Sequence, residues 1–351
     1  MTRPPPTDAD LARALAAYPE LAGGDIRPLA GGLINATFAV TSPRGAFVLQ
    51  RVHPVFAPEI HHNIAAVTGH LQRKGLVAPS LLQAQSGRPW VDLGEAGIWR
   101  AMTRVPGTSF EAVGSAAQAR AAGALVGRFH AALADLSYTF QATRLGVHDT
   151  AAHLRTLAQA LAQHAGHRLL PEVEPLARAI VGAASELPPP EPAPLRACHG
   201  DLKFNNILFA GTGPEEQVQA VCLIDLDTVG PMALHHELGD AWRSWCNPAG
   251  EERGAPRFEV EIFAASLAGY VETGVTLTPA ERRNLVHGVE WIALELAARF
   301  AADALNERYF GWDARRFPAA GEHNLQRARG QWALHLAAVE TRAARAASLL
   351  G

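Results

Sequence analysis

Four residues near the middle of the chain have the types and spacing that phosphoryl transfer requires. Asp201 and Lys203 stand in the segment HGDLKFNN, Asn206 closes it, and Asp225 follows in LIDLDT. That chemistry needs a carboxylate to orient and deprotonate an attacking hydroxyl. It also needs oxygen ligands that hold Mg²⁺ against the ATP phosphates. A loop carrying Asp201 and Asn206 can aim both side chains into one cleft. The apolar runs 207–209 and 218–224, separated by GTGP, read as a hairpin that returns Asp225 to the side of Asn206. Asp201 and Asn206 alone would also suit an Asx-capped turn, but such a turn does not require the matching Asp225. Lysine occurs only at Lys74 and Lys203. Lys203 is therefore the natural point charge toward a transferring phosphoryl group. His199 reads as a hydrogen-bonding support for the loop.

The elements that must position these residues fall into two textures. A helix over 8–18 with Asp8 as its cap comes first, then strands over 33–41 and 46–52 joined by SPRG. A helix over 59–74 and strands over 89–92 and 98–103 follow. Residues 1–104 thus make a small β-rich lobe. Residues 105–351 are mainly helical, with segments over 115–136, 151–185, 258–271, 279–306 and 322–349 around the hairpin. The proline-rich stretch 187–194 is an extended connector. The class expected is α+β, two-lobed, with a small β-rich N-lobe and a larger helical C-lobe.

Composition narrows the partners. The chain is 48% hydrophobic and 19% charged, enough apolar material for a real core. A net charge of -3 offers no global basic field for nucleic acid or an anionic membrane. No 18-residue apolar run is present and the N-terminus lacks a signal-peptide core, so no membrane partner is expected. Cys198, Cys222 and Cys246 form no C-x-x-C pair, which favours a reducing cytoplasm. His235, His236 and Glu237 lack the H-E-x-x-H spacing of a zinc site. The run from Arg342 to Arg345 reads as a solvated helix face.

The pattern H-x-D-x-x-x-x-N is the catalytic-loop signature of the kinase fold, yet G-x-G-x-x-G, V-A-I-K, D-F-G and A-P-E are all missing. HGDLKFNNILF and LIDLDT resemble instead the aminoglycoside phosphotransferase and choline kinase superfamily. Further segments are similar to the N-acetylhexosamine 1-kinase group within it. These are GGLINATFAV, FVLQRVHPVF, IHHNIAAV, RLGVHDT, IDLDTVGPMALHHELGDAWR, AARFAADALNERYF and EHNLQRARGQ, in family order from about residue 29 to 333.

That resemblance implies a protein-kinase-like fold, ATP and Mg²⁺ as cofactors, and a sugar phosphorylated at its anomeric hydroxyl. It implies Asp201 as base and Asn206 and Asp225 as metal ligands. Gly31, Gly32 and the residues to Thr37 would cover the phosphates. Met102, Thr103, Arg104 and Val105 would join the lobes and offer backbone groups to adenine. The usual phosphate lysine is absent, and Arg51 is the expected substitute, with no partner glutamate beyond the isolated Glu59. Arg299 and Tyr309 would contact the sugar, and Asn35 is a further hydroxyl reader. Asp227 is read either as a brace beside the metal ligands or as a sugar contact. Two other readings stay open: another small-alcohol kinase (aminoglycoside, choline or homoserine), or an inactive kinase-fold binding module.

Overall fold

The computed structural model describes residues 5–29, 35–143, 146–211, 218–250 and 256–351. Helix α1 (Asp8–Ala16) starts one residue earlier than a cap at Asp8 would place it. Thr7 is the cap, in a reciprocal box with Asp10. Five antiparallel strands follow: β1 (Asp25–Pro28), β2 (Ala36–Ser42), β3 (Gly45–Arg51), β4 (Val91–Asp92) and β5 (Ile98–Thr103). They are ordered β1-β2-β3-β5-β4. Between β3 and β4 lies α2 (Ile60–Arg73).

Period-two alternation gives this sheet two distinct faces. Val40, Phe47, Leu49, Trp99 and Ala101 pack on one face against Ala14, Tyr18 and Leu21 from the α1 side. The other face carries Thr37 opposite Gln50, and Gln50 opposite Arg100. Helix α2 buries Ile60, Ile64, Val67 and Leu71, the helical spacing read in the sequence, in the same core as the C-terminal elements.

The helical part begins with α3 (Ala116–Leu133), α4 (Thr150–Gln163) and α5 (Leu170–Glu186). Strand β6 (Leu195–Cys198) then pairs with β9 (Gly230–Ala233) and brackets the hairpin of β7 (Ile207–Phe209) and β8 (Ala220–Leu223). Neither β6 nor β9 was read from the sequence. Helices α6 (Leu234–Trp245), α7 (Val260–Val271) and α8 (Pro279–Asn306) follow. The expected single helix over 322–349 is two, α9 (Ala320–Glu340) and α10 (Arg342–Leu350), broken at Thr341.

The 28-residue α8 is buried along most of its length and packs against α4, α5, α6, α9 and α10. It has no single apolar stripe because its neighbours surround it. Helices α3 and α7 approach backbone to backbone. A Cβ on Gly123 would stand 1.9 Å from the Ser266 carbonyl oxygen, so only glycine fits there. No helix among the described residues is long and apolar enough to cross a membrane.

Candidate active site

The catalytic loop is held by its backbone, which leaves the side chains of its working residues facing the cleft. Glu237, buried on α6, accepts the amides of His199 at 2.7 Å and Gly200 at 2.8 Å. Burial alone would raise the Glu237 pKa. His130, His199 and the Gly200 amide overcome that and keep it a carboxylate. Gly200 has φ 84°, and a Cβ there would meet the Thr228 carbonyl at 2.6 Å. The His199 Nε2–H donates to the Ile224 carbonyl at 2.8 Å, while Nδ1 accepts the Asp201 amide at 3.3 Å. Both ring nitrogens are therefore engaged, and His199 is the support the sequence suggested. His130, Cys198 and Glu237 cluster closely enough for a metal. Glu237 is already committed to the loop, however, and burial pushes the Cys198 thiol up, away from a ligating thiolate.

Asp201 points into the cleft with its side chain 25% exposed and Lys203 Nζ at 3.2 Å. The Asn206 amide donates to the Asp201 carbonyl at 2.9 Å, which turns its amide oxygen the other way. The Ile224 amide donates to the Asn206 carbonyl at 2.9 Å, so the hairpin does bring Asp225 back to Asn206. Asp225 has φ 64° and ψ 55°, a left-handed conformation uncommon for any residue with a Cβ. Water reaches it from the cleft, yet protein surrounds it on most sides. This withdrawal from bulk solvent pushes its carboxyl up to about 6, with Asp227 and Asp201 adding to the rise and Arg100 opposing it. A hard oxygen pair among crowded acids, with its charge unrelieved, fits a divalent cation.

The sheet side departs from expectation. Arg51 has the parity of Leu49 and Phe47, so it belongs to the face turned to α1, and its cation acts on Asp10 there. It does not stand where a phosphate lysine would. Arg100 occupies the cleft face instead, with its side chain 2% exposed. Its Nε donates to Gln50 Oε1 at 2.8 Å, and its guanidinium is paired with Asp227. Asp227 also accepts from Asn35 Nδ2 at 2.8 Å, and Asn35 Oδ1 accepts the His53 amide at 2.9 Å. Both side chains are buried and held by these bonds. Through them Asp227 and Asn35 link the sheet to the turn that follows Asp225.

Thr37 lies on the cleft face and accepts from Gln50 Nε2 at 3.1 Å. Met102 shares that face, opposite Val48. The amides of Thr103 and Arg104 already donate to Ser80 and Ala46, at 2.9 and 3.0 Å. Gly31 and Gly32 lie outside the described residues.

A wall of side chains leads from the catalytic loop toward α8. Lys203 and His148 both act on Asp240, whose carboxyl Arg243 holds below its usual range against the effect of burial. His148 Nδ1 lies 3.2 Å from buried Glu295, which is 3.7 Å from Arg299. The Arg299 guanidinium sits over the rings of Tyr309 and Phe310, 5.9 and 5.6 Å from their centroids. Arg299 and Tyr309, paired by the sequence reading, are thus neighbours. Asp303, a conceivable brace for Arg299, instead accepts the amides of Arg308, Tyr309 and Phe310. A separate groove of 670 Å³ lies between the proline connector, α8 and α10. None of these residues lines it.

Residues 25–274, well over half the chain, match the Phosphotransferase enzyme family, APH. The fold is shared with solved kinases. A microcompartment-associated aminopropanol kinase is 16% identical, with 95% of this chain and 98% of that chain covered and a TM-score of 0.63. An amicoumacin kinase in complex with AMP-PNP, Ca²⁺ and Ami is 16% identical, over 93% of this chain and 92% of that one, at a TM-score of 0.61. A choline/ethanolamine kinase family protein from Mesorhizobium loti is 20% identical, over 95% and 99%, at 0.52. Sequence match, two-lobed fold and the assembled Asp201, Asn206 and Asp225 agree: the chain belongs to the phosphotransferase enzyme family and has a protein-kinase-like fold.

Proposed function

We propose that the chain transfers the γ-phosphoryl group of ATP to the anomeric hydroxyl of an N-acetylhexosamine, N-acetylglucosamine or N-acetylgalactosamine. The segment IDLDTVGPMALHHELGDAWR carries this reading through its likeness to the N-acetylhexosamine 1-kinase group. The contact of Arg299 with Tyr309 on a wall continuous with Lys203 supports it. A cationic acceptor, as in an aminoglycoside or choline kinase, would want unengaged acids. Glu295 on that wall is already taken by His148, Thr150 and Arg299.

In this reading Asp201 orients the sugar hydroxyl and takes its proton as the new O–P bond forms. Lys203, beside Asp201, holds the transferring group as a point charge. Asn206 and Asp225 are the protein ligands of Mg²⁺, which when bound draws the phosphates into place and offsets their charge. Thr37 lies along the phosphates, and the hinge Met102–Val105 borders adenine. The Thr103 and Arg104 amides are committed to the sheet, so neither is offered to adenine. ATP use is supported by the AMP-PNP held by the amicoumacin kinase.

Incubation with ATP, Mg²⁺ and a panel of hexoses, read by phosphorus NMR, tests the reading. The expected product is a sugar 1-phosphate. Phosphate on the 6-hydroxyl, or turnover only with an aminoglycoside, would refute it. Arg299→Ala is expected to raise the sugar KM by about one to two powers of ten, the usual effect of losing a charge-assisted hydrogen bond. The ATP KM should stay put, and Arg299→Lys should recover part of the loss. A lowered melting temperature with an unchanged sugar KM would assign Arg299 to bracing through Glu295.

A further inference from the structure

Asp225 is held in a left-handed conformation that a residue with a Cβ adopts at a cost, so something must over-determine it. The restraint comes from the short turn Leu226–Thr228 that follows. At one end of this turn the Thr228 hydroxyl donates to the His199 carbonyl at 2.8 Å, tying it to the catalytic loop. At the other, Asp227 is clamped from the sheet by Arg100 and Asn35. Arg100 is in turn fixed by Gln50 on the neighbouring strand, and Gln50 by Thr37 on the next.

A polar chain thus runs across β2, β3 and β5 and ends on the residue two places after Asp225. Helix α2 closes the site from the side and touches the same turn. It presents His61, fully buried and stacked on Trp90, toward Arg100 and Asp227. Its Nδ1–H donates to the Pro58 carbonyl at 2.6 Å. Burial and the Arg100 cation push this ring down to about 4, so it stays neutral and leaves Asp227 as the partner of Arg100.

We propose that Arg100 is a positioning residue that acts through Asp227 to set the geometry of Asp225, and with it the metal-dependent part of nucleotide binding. The proposal rests on the reading of Asp225 as a metal ligand. It gives the sheet lobe a cation directed at the metal-binding turn, where kinase-fold chains more usually direct a lysine at the phosphates. A buried arginine fork suits this task because it fixes direction, which a lysine ammonium does not.

The test is calorimetric titration of a non-hydrolysable ATP analogue, with and without Mg²⁺, on the wild type and on Arg100→Gln, Arg100→Lys, Asp227→Asn and Asp225→Ala, with a thermal melt of each. For Arg100→Gln, the gain in affinity on adding Mg²⁺ is expected to shrink by about tenfold or more, toward that of Asp225→Ala. Metal-free affinity should stay within about threefold of wild type. Arg100→Lys should recover part of the gain. A full Mg²⁺-dependent gain in Arg100→Gln with only a lowered melting temperature would overturn the proposal, leaving Arg100 as a brace of the fold. A parallel loss with and without metal would also overturn it, in favour of direct phosphate contact. If Arg100→Gln fails to fold, near-isosteric Asp227→Asn is read by the same criteria. An undiminished gain in Asp225→Ala would instead remove the metal-ligand reading, and the proposal with it.

Discussion

Asp201→Asn is expected to lower turnover by about two to four powers of ten, the range typical of losing a positioned general base. Nucleotide affinity should hold, because the loop's shape does not depend on that carboxylate. Glu237 holds the His199 and Gly200 amides, and Asn206 bonds the backbone carbonyl of Asp201, not its side chain. The carboxylate itself meets Lys203 and otherwise faces the cleft. Asp225→Ala should behave differently and weaken Mg²⁺-dependent nucleotide binding along with turnover. Steady-state kinetics and calorimetry on both variants check this. An equal binding defect in the two would refute the division of labour.

Glu290→Gln is expected to destabilise the fold by about 3–5 kcal/mol, the usual result of removing one partner from a buried ion pair. Glu290 lies on α8 with no exposure and receives Arg342 at 2.7 Å, together with fully buried Arg345. Burial alone would raise its pKa, but His287, Arg342 and Arg345 overcome this and hold the carboxyl at about 2. A depressed folded pKa means stability that is fully present above the unfolded value. It drains as pH falls from about 4.5 through 2. That window corresponds to roughly 3 kcal/mol, in line with the mutational figure. Urea unfolding at pH 7 should show the loss in Glu290→Gln, and below pH 4.5 the gap to wild type should narrow. Wild-type stability in the variant at pH 7 would refute it.

The catalytic loop was legible because its chemistry depends on short fixed spacings. Asp201, Asn206 and the hairpin that returns Asp225 need only local chain to be recognised. Arg100 was not legible, because nothing local separates it from Arg51. Both end up in adjacent strands of one sheet, and a shift of one residue decides which faces the cleft. Strand register settles that, and register is a long-range property. Glu237 was weighed only as part of a metal motif. Its position three residues into an amphipathic helix, on the face with Leu234, Leu238 and Ala241, was the available signal. The arginine run at 342–345 misled in the opposite way. Charge suggested solvent, but Arg345 is buried because Glu290 waits for it in the core.

That last pair also bears on how the chain matures. Glu290 and Arg345 are 55 residues apart in sequence. At about 5–20 residues per second of synthesis, the acid precedes its buried partner by roughly 3–11 s. Until then the Glu290 carboxylate lacks Arg345, and a carboxylate does not enter an apolar interior unpaired. The nascent helical lobe must keep this face hydrated and open until α10 arrives. Closure of the helical lobe over this face therefore waits for Arg345, and until that arginine is in place the apolar surface of α8 stays open.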